Sequence, residues 1–431
     1  MMKGQYEMKL YQEAQYTKEP VKPSIHVVDS IMGAGKTSWA IQHMQDANKD
    51  EKFIYITPFL SEVERVRESV TNRTFKAPNN KGKGKLDNLK DLIMHENDIV
   101  STHALFQNAD ESLIELIRVS NYTLILDEVM NVIEQFELDN EDDFHLLLDN
   151  EMIIIDDNTG LIHWNEESKY QNTKYNEIKI LAKSENLYFF ENTILFWTFP
   201  VTVFHAFKEI YIMTYLFQAQ QQRYYYDMHN VDYTYKAVQK LPDGTYTLVN
   251  HEDKEPYDKE LIKSLIDIYD GGLNDIGDDK YAFSVSWFNR DKNEHLVEKL
   301  QKNIYTYFRN NVKTKSKLNM WTCYKADIPK LKGSGYGGTK NNVCFVPHNA
   351  RATNDFKHKE SLAYVVNRFM NPYEMKFFLK HGVEVNQDMY ALSELIQWIW
   401  RSQIRQDKAI NLYIPSHRMR TILQNYLNSE L

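Results

Sequence analysis

Short apolar runs recur along the chain, each closed by a polar, proline or glycine position. Ser24–Val28, Phe53–Thr57, Asp98–Ser101 and Thr123–Leu126 read as buried strands, and Pro58 stops the second. Thr37–Gln45 and Leu60–Val70 carry apolar residues at helical spacing. Strands alternating with helices predict a parallel α/β sheet. The rhythm then breaks: from Glu134 to Asp157 there are ten acidic residues and no Lys or Arg, which predicts an acidic element inserted at about 131–185. Strands resume at Leu187–Phe190, Ile194–Trp197 and Ile210–Leu216. Tyr233–Val238 and Tyr246–Val249 flank the turn Pro242–Gly244 and read as a hairpin. The polar stretch 250–280 reads as a connector.

A second series begins at Tyr281. Phe283–Trp287, Asn319–Cys323, Val343–Val346, Ala363–Asn367 and Ile410–Ile414 are its predicted strands, and Glu294–Gln301, Pro372–Lys380 and Ala391–Arg405 its predicted helices. The expected division is an N-terminal α/β domain over 1–230, a hairpin and connector over 231–280, and a C-terminal α/β domain over 281–431.

Composition narrows the function classes. The net charge of −9 rules out a global basic field, so a nucleic-acid partner would need local patches. Cys323 and Cys344 form no metal-ligand cluster and read as core thiols of a reducing compartment. No run of about 18 apolar residues is present, so no membrane contact is expected and the cytoplasm is the expected location.

The chemistry is concentrated after the first strand. Ser30-Ile31-Met32-Gly33-Ala34-Gly35-Lys36-Thr37 departs from the phosphate-loop pattern only at Ser30, where glycine is usual. Gly33, Ala34 and Gly35 turn the backbone toward phosphates, Lys36 reaches the outer ones, and Thr37 offers a hydroxyl to Mg²⁺, with Ser38 beside it. A partner motif follows: the apolar run Thr123–Leu126 ends in Asp127 and Glu128. A strand end of this kind delivers Asp127 to the metal and Glu128 to an attacking water, which points to ATP hydrolysis with Mg²⁺.

With these motifs in place the chain resembles a superfamily 2 helicase, of the divergent kind found in tailed bacteriophages. The resemblance implies two tandem RecA-like parallel-sheet domains, ATP hydrolysis in the cleft between them, and a nucleic-acid partner, with DNA ahead of RNA. It implies nucleic-acid contacts at Thr57-Pro58, at Thr102-His103, and at Thr353 within Arg351–Asn354. The family's Ser-Ala-Thr coupling motif is absent, and Thr214 and Thr198 both stay open for that role, with Thr214 preferred. Phe283–Ser286 resembles the first strand of the second motor domain. Gln397-Trp-Ile-Trp-Arg401-Ser-Gln-Ile-Arg405 resembles the arginine motif, although both glycines are missing and Arg405 comes one position late. On a continuous helix Gln397, Arg401 and Arg405 would share one face. The host cytoplasm is the implied setting, with a role in phage DNA replication or recombination.

Direct signs of nucleic-acid binding are fewer. Lys76–Lys90 carries five lysines around Pro78, Gly82 and Gly84, and it places Lys81, Lys83 and Lys85 on an expected exposed loop. An ATP-dependent switch or loader that moves along nothing is the alternative, and the acidic insert would give it a protein partner. A packaging terminase would need a C-terminal nuclease with clustered acids, which residues 281–431 do not show.

Overall fold

β-branched and aromatic runs become strands where both faces are covered. In the computed structural model, residues 22–80, 84–106, 109–138, 140–168, 174–253, 259–340, 342–349 and 355–429 are described. The chain divides into two units: Met1–Asp253 with Tyr373–Val385, and Lys254–Pro372 with Asn386–Leu431.

The first unit opens with β1 (Ser24–Asp29), β2 (Phe53–Thr57), β3 (Ile99–Thr102) and β4 (Thr123–Asp127). An insert follows, with β5 (Ile133–Phe136), β6 (Ile153–Ile155), β7 (Ile162–Trp164), β8 (Leu187–Phe190) and β9 (Ile194–Thr198). The chain then returns to the main sheet through β10 (Glu209–Thr214), β11 (Thr234–Lys240) and β12 (Tyr246–Asn250). The main sheet runs β12-β11-β1-β10-β4-β2-β3 and is parallel except at β12. All five residues of both β2 and β4 are buried, as continuous apolar strands of a sheet covered on both faces should be.

The insert has its own sheet, β5-β9-β8, a separate β6–β7 ladder, and its own core around Phe144, Leu147, Ile162, Trp164 and Leu195. Residues 187–198 therefore extend the insert past the expected limit at 185. Pro372–Lys380 is helical, as its spacing predicts, but residues 373–385 belong to the first unit. Phe377 packs against Tyr188, Phe190 and Phe196, and Phe378 against Tyr224, so aromatic burial takes this segment away from its sequence neighbours.

The second unit holds β13 (Ile266–Ile268), β14 (Asn319–Thr322), β15 (Ser361–Tyr364) and β16 (Ile410–Tyr413), all parallel, in the order β13-β16-β15-β14. Three expectations are corrected here. The connector 250–280 contains β13, an edge strand paired with β16. Phe283–Trp287 is not a strand: Ser284 caps a short helix, Val285–Phe288, by accepting from the Trp287 N–H. Val343–Val346 makes only an isolated bridge, Trp321 to Phe345. Cys323 and Cys344 are both buried. Among the described residues no helix is long and apolar enough to cross a membrane.

The N-terminal edges of β2 and β3 are tied by Arg73. Its side chain, 7% exposed, pairs with Asp98 at 3.2 Å and donates to the carbonyls of Glu51 and Ala47, while Asp98 accepts from the Phe53 N–H. Removing the guanidinium strands a buried carboxylate, so Arg73→Ala is expected to lower stability by about 3–5 kcal/mol in urea denaturation. A loss below ~1 kcal/mol would show that water already serves Asp98.

Candidate nucleotide site

Parallel pairing sets the site. Asp29 at the end of β1 is level with Thr214 on β10, and Met213 on β10 is level with Asp127 on β4. The phosphate loop, the end of β10 and the acidic pair therefore stand side by side at one C-terminal sheet edge, where α/β folds take ligands. Asp29 pins this edge, accepting from the N–H groups of Leu216 at 3.0 Å and Phe217 at 2.9 Å. Burial raises its pKa above the usual carboxylate value even against those two bonds.

Gly33 (φ 92°) and Gly35 (φ 98°) take the left-handed conformation that lets the loop turn into the helix Lys36–Asp46. That helix has no side-chain cap at Gly35 and no acid in its first turn. Its positive dipole end, uncapped by any side chain at Gly35, suits an anion. Ala34, Thr37 and Ser38 share the turn. The Lys36 ammonium lies on the loop's own carbonyls, at Ser30 and, at 3.3 Å, Ile31. It is positioned where phosphate oxygens would replace those acceptors.

Asp127 is buried and accepts a hydrogen bond from the Tyr55 hydroxyl at 3.0 Å. Burial, then the neighbouring Glu128, pushes its pKa up to about 7, and the Tyr55 bond opposes them. A carboxylate so short of compensating charge suits a cation. Glu128 has φ 77°, rare for a residue with a long side chain, and its N–H is held by the Met213 carbonyl at 3.0 Å. The following turn is fastened by Gln222, whose side-chain oxygen accepts from the Met130 N–H. The Thr214 hydroxyl is buried with no hydrogen-bond partner among the described residues. An orphaned hydroxyl between the loop and Asp127 fits a site that a ligand completes. The oxygen donors Thr37 and Asp127 suit Mg²⁺, which takes few protein ligands when phosphates supply the rest. Thr198 pairs with Ile133 in the insert's own sheet, whereas Thr214 lies on the main sheet.

The remaining predicted residues fall into three groups. Thr57 and Thr102 are register partners on β2 and β3, so Thr57-Pro58 and Thr102-His103 share the same edge. Phe59, 40% exposed, and Leu60, 68% exposed, form an apolar lip beside them. Lys85 is exposed, but it opens the helix Lys85–Met94 rather than lying on a loop. Lys81, Lys83 and Thr353 lie outside the described residues.

The single helical face for Gln397, Arg401 and Arg405 is corrected. The helix Gln387–Ile399 ends before Arg401. The Ser402 hydroxyl donates to the Ile399 carbonyl at 2.7 Å, and the Gln403 N–H is drawn to the Lys359 carbonyl. Arg405 rides on a separate turn, Gln403–Gln406. The helix instead carries a polar stripe of Tyr390, Glu394 and Gln397 at i, i+4 and i+7. Arg368, beyond β15, donates to the Tyr390 hydroxyl at 2.7 Å and lies 3.9 Å from Glu394. The Arg368 Nε and Gln397 Nε2 are buried without a hydrogen-bond partner among the described residues. Sequence reasoning missed Arg368, Glu394 and Tyr55. A Glu buried among Leu392, Leu395 and Ile396 on the helix is the available signal for the second; no local pattern marks the other two.

Fold and edge geometry define the class: a two-unit α/β protein of helicase-like fold, with a glycine turn of the phosphate-loop pattern at its sheet edge. A solved structure titled "XPD_Helicase" aligns over 98% of this chain and 97% of its own, with a TM-score of 0.50 at 10% identity, a likeness of fold. One titled "Structure of S. tokodaii Xpd4" covers the same shares at 12% identity and a TM-score of 0.43. Residues 260–427 match the YonV C-terminal Rossmann-like domain, and residues 133–197, the insert's strands, match the YonV middle domain. The SPbeta prophage-derived uncharacterized protein YonV of Bacillus subtilis (strain 168) is 44% identical over 417 residues, spanning 94% of this chain and 99% of that protein. The chain belongs to the YonV family.

Ser30 explains its own departure from the phosphate-loop pattern. Its hydroxyl accepts from the Val238 N–H at 3.0 Å, joining the loop to β11. Ser30→Gly restores the usual glycine, yet it is expected to lower stability by about 1–3 kcal/mol by orphaning a buried N–H. Thermal unfolding of the variant checks this, and an unchanged or raised midpoint would contradict it.

Proposed function

We propose that this protein is an ATP-driven nucleic-acid translocase or helicase of the superfamily 2 type, acting on DNA before RNA, in the replication or recombination of a phage genome in the host cytoplasm. The observation that carries the reading is the single edge shared by the phosphate loop, the orphaned Thr214 hydroxyl and the acid pair. Lys36 and the N–H groups of Gly33–Ser38 hold the phosphates of ATP. Thr37 and Asp127 hold Mg²⁺, and Tyr55 fixes which Asp127 oxygen is presented. Magnesium, when bound, neutralises charge on the outer phosphates. Glu128 orients the attacking water and takes its proton. Thr214, on the strand between loop and acids, is the coupling residue of this reading. Arg401, with Gln397, is its catalytic arginine, and Arg405 is the second choice.

Thr57-Pro58 and Thr102-His103 are proposed to meet a nucleic-acid backbone along the same edge, and Thr353, Lys81, Lys83 and Lys85 are proposed as further backbone contacts. Neutral hydroxyls and N–H groups position a backbone without reading its sequence.

The test is ATP turnover with and without single-stranded DNA, duplex DNA and RNA. Mg²⁺-dependent hydrolysis that rises with DNA is expected. Glu128→Gln is expected to keep Mg²⁺-ATP bound while turnover falls about 10²-fold or more, since an amide cannot accept the proton. Normal turnover in Glu128→Gln would place the base elsewhere. Hydrolysis indifferent to every nucleic acid would favour the switch or loader.

A further inference from the structure

The hairpin β11–β12 lies beside β1 on the side opposite β10 and β4. β11 runs parallel to β1, so the hairpin's turn emerges at the same sheet edge as the phosphate loop. β12 begins at Tyr246, paired with Lys240. Its main chain is clamped from both sides by Gln42: the Tyr246 N–H donates to Gln42 Oε1 at 2.9 Å, and Gln42 Nε2 donates to the Tyr246 carbonyl at 3.1 Å. Gln42 belongs to the helix that the phosphate loop opens, so loop, helix and hairpin hold one another.

The clamp sets the Tyr246 ring directly against Gly35. A Cβ on Gly35 would lie 2.2 Å from Tyr246 Cε1 and 2.7 Å from Cδ1, so only glycine admits the ring there. Tyr246 packs against the core cluster around Trp39, Ala40 and Val238 yet stays half-buried. An aromatic side chain left partly exposed beside a phosphate-loop glycine is within reach of a ligand bound at that loop.

Direction follows from topology. The acids that would act on the outermost phosphate sit on β4, two strands from β1. A nucleotide whose phosphate tail points toward β4 carries its nucleoside toward the opposite side, where the hairpin stands. We infer that Tyr246 is the stacking wall for the base of the bound nucleoside triphosphate. Both amide atoms of Gln42 are engaged by the Tyr246 backbone, so stacking holds the base without an edge readout from Gln42. Stacking tolerates any base, because every base has a π-face. This inference rests on the nucleotide reading above and adds base recognition to it.

Equilibrium titrations of wild type, Tyr246→Leu and Tyr246→Phe with Mg²⁺-ATP, Mg²⁺-GTP and inorganic tripolyphosphate test it. Leucine fills the space against Gly35 but removes the π-face, and tripolyphosphate has no base. Tyr246→Leu is expected to weaken ATP and GTP alike, by about tenfold or more, and to leave tripolyphosphate unchanged. Tyr246→Phe is expected to match wild type for all three. Equal loss for ATP and tripolyphosphate in Tyr246→Leu would make the ring a support of the loop and overturn the inference, as would undiminished ATP binding. Those results leave the nucleotide site standing, whereas a wild type that binds neither ATP nor tripolyphosphate removes the site and the inference together.

Discussion

The register of β10 between β1 and β4 is the constraint on which the rest depends. It sets Asp29 level with Thr214 and Asp127 level with Met213, one residue earlier, so a phosphate loop and an acid pair nearly 100 residues apart in sequence open onto the same edge. The Asp29 carboxylate secures it by taking two successive N–H groups just beyond β10. Those donors sit where the chain leaves the sheet, so the bond pair fixes the exit of β10 to the entry of the phosphate loop. A slip of β10 by one residue would turn Thr214 to the opposite face and out of line with Asp29.

Around that edge, residues that depart from common patterns are matched by specific partners. Ser30 stands where glycine is usual, and β11 supplies the N–H that its hydroxyl accepts. Glu128 holds a left-handed backbone that glycine would adopt more readily, and the Met213 carbonyl and the Gln222 amide hold the turn around it. The hairpin is thus a working part of the loop's architecture, since the glycine the loop lacks is replaced by a bond to a neighbouring strand.

Much of the first unit was legible in the sequence because its signals are local. The glycines, Lys36 and Thr37 sit within eight residues, and an apolar strand ending in two acids is readable without tertiary knowledge. The two parallel-sheet units followed from strand–helix alternation, and the acidic insert from the break in it between Glu134 and Asp157. What escaped depends on partners far along the chain. Tyr246 gains its place from Gln42, 204 residues away, and the segment 373–385 gains its place from aromatic residues of the insert. The Gln397–Arg405 pattern misled because periodicity cannot see Ser402 capturing the Ile399 carbonyl, which ends the helix and gives Arg405 a turn of its own. Phe283–Trp287 looked like a strand by composition, and the Ser284 cap made it helical.

The central claim is that the edge built by β1, β10 and β4 is a Mg²⁺-nucleotide site. Calorimetric titration of Mg²⁺-ATP into wild type and Lys36→Ala tests it most directly. The account predicts one site per chain in wild type, weakened when Mg²⁺ is chelated, and a loss of affinity of tenfold or more in a Lys36→Ala chain that remains folded. Equal affinity in the two proteins, or no binding by wild type at millimolar ATP, would contradict it.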